Sequence, residues 1–283
     1  MTEVGGVAIV LFAYNRPHKT RSTIRSLQVA VNALAITEQK YSSIPIYVSV
    51  DGPKHNQEDK EAVAEVALVV RNLLPGARLS QGKTNRGLPA HLVETLDYVL
   101  SEKDFQRLIC IEDDVELSPN ALVALLSASD LLSGSGYVIG AAPLHSDGSV
   151  EHQALLLDRK AHLVASLFLR EYIVRFALDG EQKEGAYGNR AHSDIYLWAT
   201  EIAAGAGVPS PTGTSQDRMR ELAWRMGNIK LDGLPTRMVR HRGYWGQHNT
   251  PWYALRTGQF WQRLDTRPWE LVKREVAQKF TQR

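Results

Sequence analysis

The sequence predicts an α/β fold with a mostly parallel central sheet, and three kinds of observation support that prediction. Short apolar runs at residues 7–13, 44–50 and 108–111 have the composition of strands that are buried on both faces. Segments with helical spacing of apolar residues separate these runs, and the connections are short. Such an alternation of strands and helices is typical of βαβ units, which build parallel sheets.

The first half of the chain divides into strands and helices at clear turn signals. The run at residues 7–13 ends at Tyr14-Asn-Arg-Pro17, and Pro17 suits the first turn of a helix. Asp51-Gly-Pro53 ends the second run, because these residues favour a turn. The elements predicted after it are, in order, a helix at 57–74, a strand at 77–79, a helix at 89–100 and a strand at 108–111.

The second half has a weaker pattern. Residues 137–142 are predicted as a strand, whereas the apolar segment 155–178 fits either a strand or a helix. Residues 190–204 and 215–226 have helical spacing and are predicted as helices. The sequence contains no internal repeat, so a repeat architecture is excluded.

Composition excludes several classes of protein. Of 283 residues, 43% are hydrophobic and 23% are charged, as in ordinary globular chains. Lys and Arg number 33 against 31 Asp and Glu, and the resulting net charge of +2 gives no support to nucleic-acid binding. The single cysteine, Cys110, excludes an internal disulfide and a zinc site built on cysteines. We expect a cytoplasmic protein, because the sequence has neither a signal-like start nor a run of about 18 apolar residues.

Polar residues directly follow several of the predicted strands. Asn15 and Arg16 follow the first strand, Asp51 follows the second, and the triplet Glu112-Asp113-Asp114 follows the fourth. In parallel α/β sheets the ligand crevice lies outside the carboxyl ends of the strands. These residues are therefore predicted to face one crevice.

The acidic triplet Glu112-Asp113-Asp114 is the strongest candidate for chemistry. Three adjacent carboxylates repel one another, and a hard divalent cation such as Mg²⁺ or Mn²⁺ relieves that repulsion through oxygen ligands. Neighbouring side chains in extended chain alternate sides, so one or two of the three can reach one ion. The alternative is that Asp113 and Asp114 only open a turn before a helix that starts at Ser118-Pro119.

Four segments, in this order, resemble the GT-A-fold nucleotide-sugar glycosyltransferases. They are residues 7–17, Ile46-Tyr-Val-Ser-Val-Asp-Gly52, Asn85-Arg-Gly87 and Ile109-Cys-Ile-Glu-Asp-Asp-Val115. The Glu-Asp-Asp form of that family's DXD motif is most similar to the N-acetylglucosaminyltransferases that start N-glycan branching. Residues 217–220 and 240–248 are similar to later segments of the same enzymes, whereas residues 153–213 do not align.

The resemblance implies a single GT-A-like domain over residues 1–250, in which 1–120 bind the nucleotide sugar and 136–250 face the acceptor. It implies a UDP-sugar donor and a Mn²⁺ or Mg²⁺ ion held directly by Asp114, with Glu112 and Asp113 contacting ribose and donor sugar. The other donor contacts that it implies are Ala13, Asn15, Arg16, Asp51, Lys83, Asn85, Arg86, Arg240, His241 and Gln247.

Several of these residues have a second interpretation. Asp51 would accept the uracil N–H, or it only opens the turn that follows it. Arg16 would contact the base or the phosphates, or it is a surface residue beside a helix start. Gly87 permits close backbone approach at the loop of residues 83–87. His241 or His248 could complete the metal site, although a lone histidine is more often a hydrogen-bonded structural group.

Asp217 is the predicted catalytic base. An inverting transfer needs a carboxylate that takes the proton of the acceptor hydroxyl while its oxygen attacks the anomeric carbon. The family's motif has two adjacent acids at this place, whereas this chain has Gln216-Asp217. Asp217 also falls in the first turn of a predicted helix, where the helix dipole alone favours an acid.

Together these features predict an inverting, metal-dependent hexosyl- or N-acetylhexosaminyltransferase that acts on a glycan or lipid-linked glycan in bacterial polysaccharide synthesis. One alternative is a nucleotidyltransferase of sugar phosphates, although such enzymes usually begin with a Gly-rich loop that Tyr14-Asn-Arg-Pro17 does not provide. Another is a catalytically silent relative that binds a sugar nucleotide.

The last segment, residues 251–283, is a basic tail that carries Trp252, Trp261 and Trp269. A basic, Trp-containing segment fits peripheral contact with the inner face of a membrane that holds a lipid-linked acceptor. The alternative is that the tryptophans pack the tail onto the body of the protein.

Overall fold

The computed structural model describes residues 6–132, 134–176, 189–242 and 262–281. Its strands are β1 (Val7–Ala13), β2 (Ile46–Val50), β3 (Arg78–Gln81), β4 (Arg107–Glu112), β5 (Val115–Leu117), β6 (Tyr137–Gly140), β7 (Ala154–Asp158), β8 (Lys230–Gly233) and β9 (Val239–His241). Its helices are α1 (Pro17–Thr37), α2 (Gln57–Leu73), α3 (Leu88–Glu102), α4 (Ala121–Leu131), α5 (Arg159–Phe176), α6 (Asn189–Ala206), α7 (Gln216–Met226) and α8 (Trp269–Thr281).

Seven strands form the central sheet in the order β3-β2-β1-β4-β7-β6-β8. β7 runs antiparallel to both of its neighbours, and every other neighbouring pair in the sheet is parallel. β5 and β9 form a separate antiparallel pair. The predicted α/β fold with a mostly parallel central sheet is therefore confirmed.

Helices cover both faces of the sheet, and β1 shows how the sequence achieves this. All seven residues of β1 are buried, and alternate side chains point to opposite faces. Ile9 and Leu11 pack in one apolar cluster with α1, α2, α4 and α8. Val10 and Phe12 pack in a second cluster with α3, α5, α6 and α7. Burial of each such side chain stabilises the fold by about 1.5–3 kcal/mol.

The segment between the acidic triplet and the next helix differs from the expectation. A helix starting at Ser118-Pro119 was one interpretation of the triplet, but α4 begins at Ala121 and β5 lies before it. β5 forms because it pairs with β9, in a register that sets Val115 opposite His241. This pairing joins residues that are far apart in sequence, so no local pattern predicts it.

The structure settles two segments that had two interpretations, residues 155–178 and the tail. In its described part, segment 155–178 contains most of β7 followed by α5. In the tail, Trp269 begins α8, whose Val272, Val276 and Phe280 are buried in the core. The described part of the tail thus packs on the body, while Trp252 and Trp261 lie outside the described residues. None of the helices in the described ranges is long and apolar enough to cross a lipid bilayer.

A buried polar network lies under the carboxyl end of β2. Ser49 Oγ lies 2.7 Å from His91 Nε2 and 2.9 Å from Thr95 Oγ1. Burial, with the nearby charge of Arg86, lowers the pKa of His91 to about 3. His91 therefore remains neutral in the folded protein at neutral pH.

The low pKa of His91 predicts a loss of stability in mild acid. Between pH 6.5 and 3 the unfolded chain binds a proton at His91 that the folded chain does not, so stability falls as pH decreases. At pH 5 the expected loss is about 2 kcal/mol relative to pH 7. Urea unfolding at both pH values should show this loss in the wild type and a smaller one in His91→Gln. Equal losses in the two proteins would contradict the assignment.

Candidate active site

The ends of β1, β2 and β4 bring the predicted site residues to one edge of the sheet. β1 pairs with both β2 and β4, in parallel, and Phe12 lies opposite Glu112. The backbone N–H of Asp51 donates to the carbonyl oxygen of Ala13 at 2.9 Å. The predicted convergence of these three strand ends is thus present in the structure.

The Asp51 carboxylate joins the turn after β2 to the loop of residues 83–87. Asp51 is 3% exposed, and its carboxylate accepts hydrogen bonds from the backbone N–H groups of Gly52 and Arg86 and from Asn85 Nδ2, at 2.9–3.2 Å. Burial raises the pKa of Asp51, and these hydrogen bonds partly offset that effect. The hydrogen bond from Gly52 is the contact expected if Asp51 opens a turn. Asn85 and Arg86 are residues that were predicted to contact the donor. A donor contact by Asp51 itself stays a prediction.

Two glycines permit this loop geometry. A Cβ on Gly52 would lie 2.2 Å from the carbonyl oxygen of Thr84, so no larger residue fits there. Gly87 has φ of 76°, a left-handed conformation that favours glycine. Lys83, in the same loop, is exposed and makes no hydrogen bond or ion pair with the described residues. Its contact with a donor stays a prediction.

Asp59, near the start of α2, holds the loops after β1 and β2 together. It was not predicted as a site residue. Its carboxylate accepts from Tyr14 Oη at 2.5 Å, from Asn15 Nδ2 at 2.5 Å and from the backbone N–H of Lys54 at 2.6 Å. Asn56 caps α2 by accepting from the backbone N–H of Asp59. The Asn56-x-x-Asp59 spacing is a capping signal that could have located it. Asn15 is thereby oriented by Asp59, and its donor contact stays a prediction.

The acidic triplet places its three side chains in different surroundings. Asp113 turns toward α1, where it accepts from Thr20 Oγ1 at 3.0 Å and from the backbone N–H of Tyr14 at 3.3 Å. Arg16 bridges the two aspartates of the triplet. Its guanidinium lies 2.5 Å from Asp113 Oδ1 and 2.7 Å from Asp114 Oδ2. Arg16 is therefore part of the site and more than a surface residue beside a helix start.

Asp114 is held between His241 and Arg16. His241 Nε2 on β9 lies 3.2 Å from Asp114 Oδ2, and both residues are buried. Burial opposes ionisation of Asp114, but the hydrogen bond from His241 and the charge of Arg16 outweigh it and lower the pKa to about 2. The other oxygen, Oδ1, is buried and has no hydrogen-bond partner within the described ranges.

The unpartnered Oδ1 of Asp114 fits a divalent cation, and His241 could join it as a ligand once Nε2 exchanges its hydrogen bond to Asp114 for the ion. Carboxylate oxygen suits Mg²⁺ and Mn²⁺, and imidazole is a common ligand of transition metals. The part of the chain that the structure describes holds no group of three or more His, Cys, Asp or Glu arranged for a metal. A cation here would therefore take two protein ligands and draw the rest from a bound molecule or water.

Glu112 and Asp217 form the second acidic pair of the site. Burial and the charges of Asp217 and Asp114 raise the pKa of Glu112 well above its usual range. Asp217 lies in the first turn of α7, which Ser215 caps by accepting from the backbone N–H of Arg218. The structure thus places Asp217, from the second half of the chain, close enough to Glu112 for their charges to interact, and its role as the base stays a prediction.

A group behind Asp217, also missed from the sequence, holds that carboxylate in place. Arg220 Nη2 lies 3.3 Å from Asp217 Oδ1 and 2.8 Å from His152 Nδ1. His152 stacks on Trp224 with ring centroids 5.8 Å apart, and its Nε2 lies 3.0 Å from Glu221 Oε1. Since Arg220 donates to Nδ1, the neutral His152 carries its proton on Nε2 and donates to Glu221. Arg220 is therefore fixed beside Asp217.

Arg240 on β9 and Arg242, directly after β9, both contact Glu116, which is not part of the acidic triplet. Arg240 Nε lies 3.1 Å and Arg242 Nε 2.7 Å from the same oxygen of Glu116 on β5. The backbone N–H of Arg242 donates to the carbonyl oxygen of Asp114 at 2.6 Å. Arg240 is thus near the site through β9, and its donor contact stays a prediction. Gln247 and His248 lie outside the described residues.

Comparisons with known proteins give structural neighbours only. No family model and no curated protein matches the chain. A structure of S. aureus TarS residues 1–349 is 13% identical, with a TM-score of 0.41 over 81% of this chain and 58% of that chain. Glucosyl-3-phosphoglycerate synthase from Mycobacterium tuberculosis with Mn²⁺, UDP and phosphoglyceric acid is 15% identical, with a TM-score of 0.39 over 72% of this chain and 79% of that one. The same enzyme with Mg²⁺ and UDP gives a TM-score of 0.37 at 15% identity, over 72% of this chain and 80% of that one. The chain thus spans less than two thirds of the TarS structure.

Proposed function

We propose that this chain is a metal-dependent glycosyltransferase that moves a sugar from a UDP-sugar to a hydroxyl of a glycan or lipid-linked glycan. The observation that carries the proposal is the buried, unpartnered Oδ1 of Asp114 beside His241. It lies at the same sheet edge as the Asp51 loop, where nucleotides bind in parallel α/β folds. The resemblance of the first four sequence segments to GT-A enzymes supports the same activity.

Asp114 and His241 would hold the cation in this proposal. When bound, a divalent cation supplies positive charge that stabilises a departing diphosphate. The loop around Asp51, with Asn85 and Arg86, would bind the nucleoside, because the Asn85 amide and the Arg86 guanidinium there both contact the buried carboxylate. Asp59 would set the distance between this loop and the segment after β1.

Asp217 would act as the general base on the acceptor side. The acceptor oxygen forms a bond to the anomeric carbon, its proton passes to the Asp217 carboxylate, and the bond between the sugar and the diphosphate breaks. The electron pair of that bond leaves on the nucleoside diphosphate. Because the acceptor attacks the face opposite this leaving group in a single displacement, the anomeric configuration is inverted. Arg220, fixed by His152 and Trp224, would keep the carboxylate oriented.

The setting we propose is bacterial polysaccharide synthesis at the inner face of a membrane. The acceptor would be a lipid-linked glycan, and the basic residues of the tail would contact anionic lipid. Arg267 and Lys279, within the described tail, already pair with other groups of the protein, so this contact depends on the remaining basic residues.

Product analysis tests the proposed reaction and separates it from the alternatives. The protein is incubated with Mn²⁺ and either a panel of UDP-sugars, with and without glycan acceptors, or UTP with sugar phosphates, and the products are identified by mass spectrometry and NMR. A glycosyltransferase releases UDP and forms a new glycoside of inverted configuration. A nucleotidyltransferase instead forms pyrophosphate from a nucleoside triphosphate and a sugar phosphate. Binding of UDP-sugars without either product would indicate a silent relative and contradict the proposal.

A further inference from the structure

Arg16 supplies the positive charge between the two aspartates of the triplet. Its guanidinium lies 2.5 Å from Asp113 Oδ1 and 2.7 Å from Asp114 Oδ2. The Arg16 side chain is 34% exposed, whereas both carboxylates are almost fully buried. The arginine therefore lies at the solvent-facing side of the carboxylate pair.

The two carboxylates depend on Arg16 to different degrees. Asp113 also accepts from Thr20 Oγ1 and from the backbone of Tyr14, so it stays anchored to α1 when Arg16 moves. Asp114 Oδ2 is shared between Arg16 and His241, and Oδ1 has no partner in the described part of the chain. A change in the position of Arg16 consequently alters the charge around Asp114 most.

Arg16 and a divalent cation at Asp114 would compete for the same negative charge. Two positive groups a few ångströms apart in a partly buried site repel each other strongly. Arg16 in its present position therefore weakens the binding of a bare cation. Guanidinium groups pair with phosphate as well as with carboxylate, through parallel N–H donors. A diphosphate in the crevice would offer Arg16 such a second partner.

We propose that Arg16 couples the binding of the cation to the binding of the diphosphate. Arg16 pairs with Asp113 and Asp114 until a nucleoside diphosphate draws its guanidinium to the phosphates, and the cation then binds Asp114 with higher affinity. Because such coupling is reciprocal, the cation raises the affinity for the diphosphate by the same factor. The inference rests on the proposed function, since it takes a nucleoside diphosphate as the ligand.

The test compares Mn²⁺ binding with and without saturating UDP, measured by the EPR signal of free Mn²⁺. Arg16→Met should bind Mn²⁺ alone about tenfold more tightly than the wild type, and UDP should improve its Mn²⁺ affinity about tenfold less. Coupling between two sites is commonly about 5- to 150-fold. Arg25→Met is the matched control, because Arg25 lies exposed on α1, the helix that Arg16 directly precedes, and its replacement removes the same charge. It should leave both affinities at wild-type values.

The outcomes separate this inference from the proposed function. If Arg16→Met and the wild type bind Mn²⁺ alone with equal affinity, while UDP still enhances Mn²⁺ binding by the wild type, the coupling role is overturned and the proposed function stands. If the wild type binds no Mn²⁺ even with UDP, both are overturned. Arg16→Lys keeps the charge without the paired donors and should be intermediate, so it carries the comparison if the melting temperature shows Arg16→Met to be unfolded.

Discussion

Replacing Asp217 with Asn is expected to lower the rate constant for sugar transfer by about 10²–10⁴-fold, because the variant cannot accept the proton of the acceptor hydroxyl. The affinity for UDP with Mn²⁺ should stay close to the wild-type value. Asp217 contacts Arg220 and His152, whereas Asp114 contacts Arg16 and His241. Transfer rate and donor affinity measured on the same preparation check both statements.

The control for this variant is an acid that also lies in the first turn of a helix but is outside the candidate site. Glu270 lies exposed in the first turn of α8 and is suited to this purpose. Glu270→Gln should lose about 0.3–1 kcal/mol of stability through the helix dipole and keep full activity. If Asp217→Asn behaves in the same way, its acid serves the helix start and the base is another residue.

Replacing Asp114 with Asn should lower turnover by at least about 10³-fold, because a cation that stabilises the leaving group is worth several kcal/mol. The fold should survive, since the side-chain volume is unchanged and Asp113 keeps its bonds to Thr20 and Arg16. We expect a stability loss of about 1–3 kcal/mol from the weakened contacts with Arg16 and His241. Turnover assays and urea unfolding measure the two effects.

Asp97 is a control with the same kinds of partner on another part of the molecule. Its carboxylate also contacts one histidine and one arginine, His162 and Arg170. Because the Asp97 side chain is 31% exposed and that of Asp114 is 6% exposed, Asp97→Asn should lose less stability than Asp114→Asn, while turnover stays at the wild-type level. A fully active Asp114→Asn would move the metal to a different site.

Local patterns in the sequence predicted β1, β2, β3, β4 and β6, the fold class and the acidic triplet, but not β5, β8 or β9. Apolar runs such as residues 7–13 are buried on both faces, and the period of such runs is local information. The triplet is recognisable because adjacent carboxylates after a buried strand are unfavourable unless a partner compensates them. For Asp51, the same turn signal supported two interpretations, and the structure shows the turn contact with Gly52.

Arg16 and His241 were expected at the site, but their contacts with one oxygen of Asp114 could not be predicted, because the three residues come from distant parts of the chain. Arg16 meets Asp114 across 98 positions of sequence, and His241 meets it across 127. Arg220 and His152 are separated by 68 positions. Such contacts depend on how β5 pairs with β9 and how α7 packs, and neither has a local pattern. Asp59 is an intermediate case, since its capping signal with Asn56 is local while its bonds to Tyr14 and Asn15 are not.

The most direct test of the central claim is calorimetric titration of UDP into the wild-type protein, first with Mn²⁺ and then with EDTA in its place. If Asp114 and His241 hold a cation that bridges to the diphosphate, removal of the metal should weaken UDP binding by at least about tenfold, or about 1.4 kcal/mol. Asp114→Asn in Mn²⁺ should bind UDP as weakly as the wild type does in EDTA. Equal UDP affinity in Mn²⁺ and in EDTA would contradict the metal-bridged site.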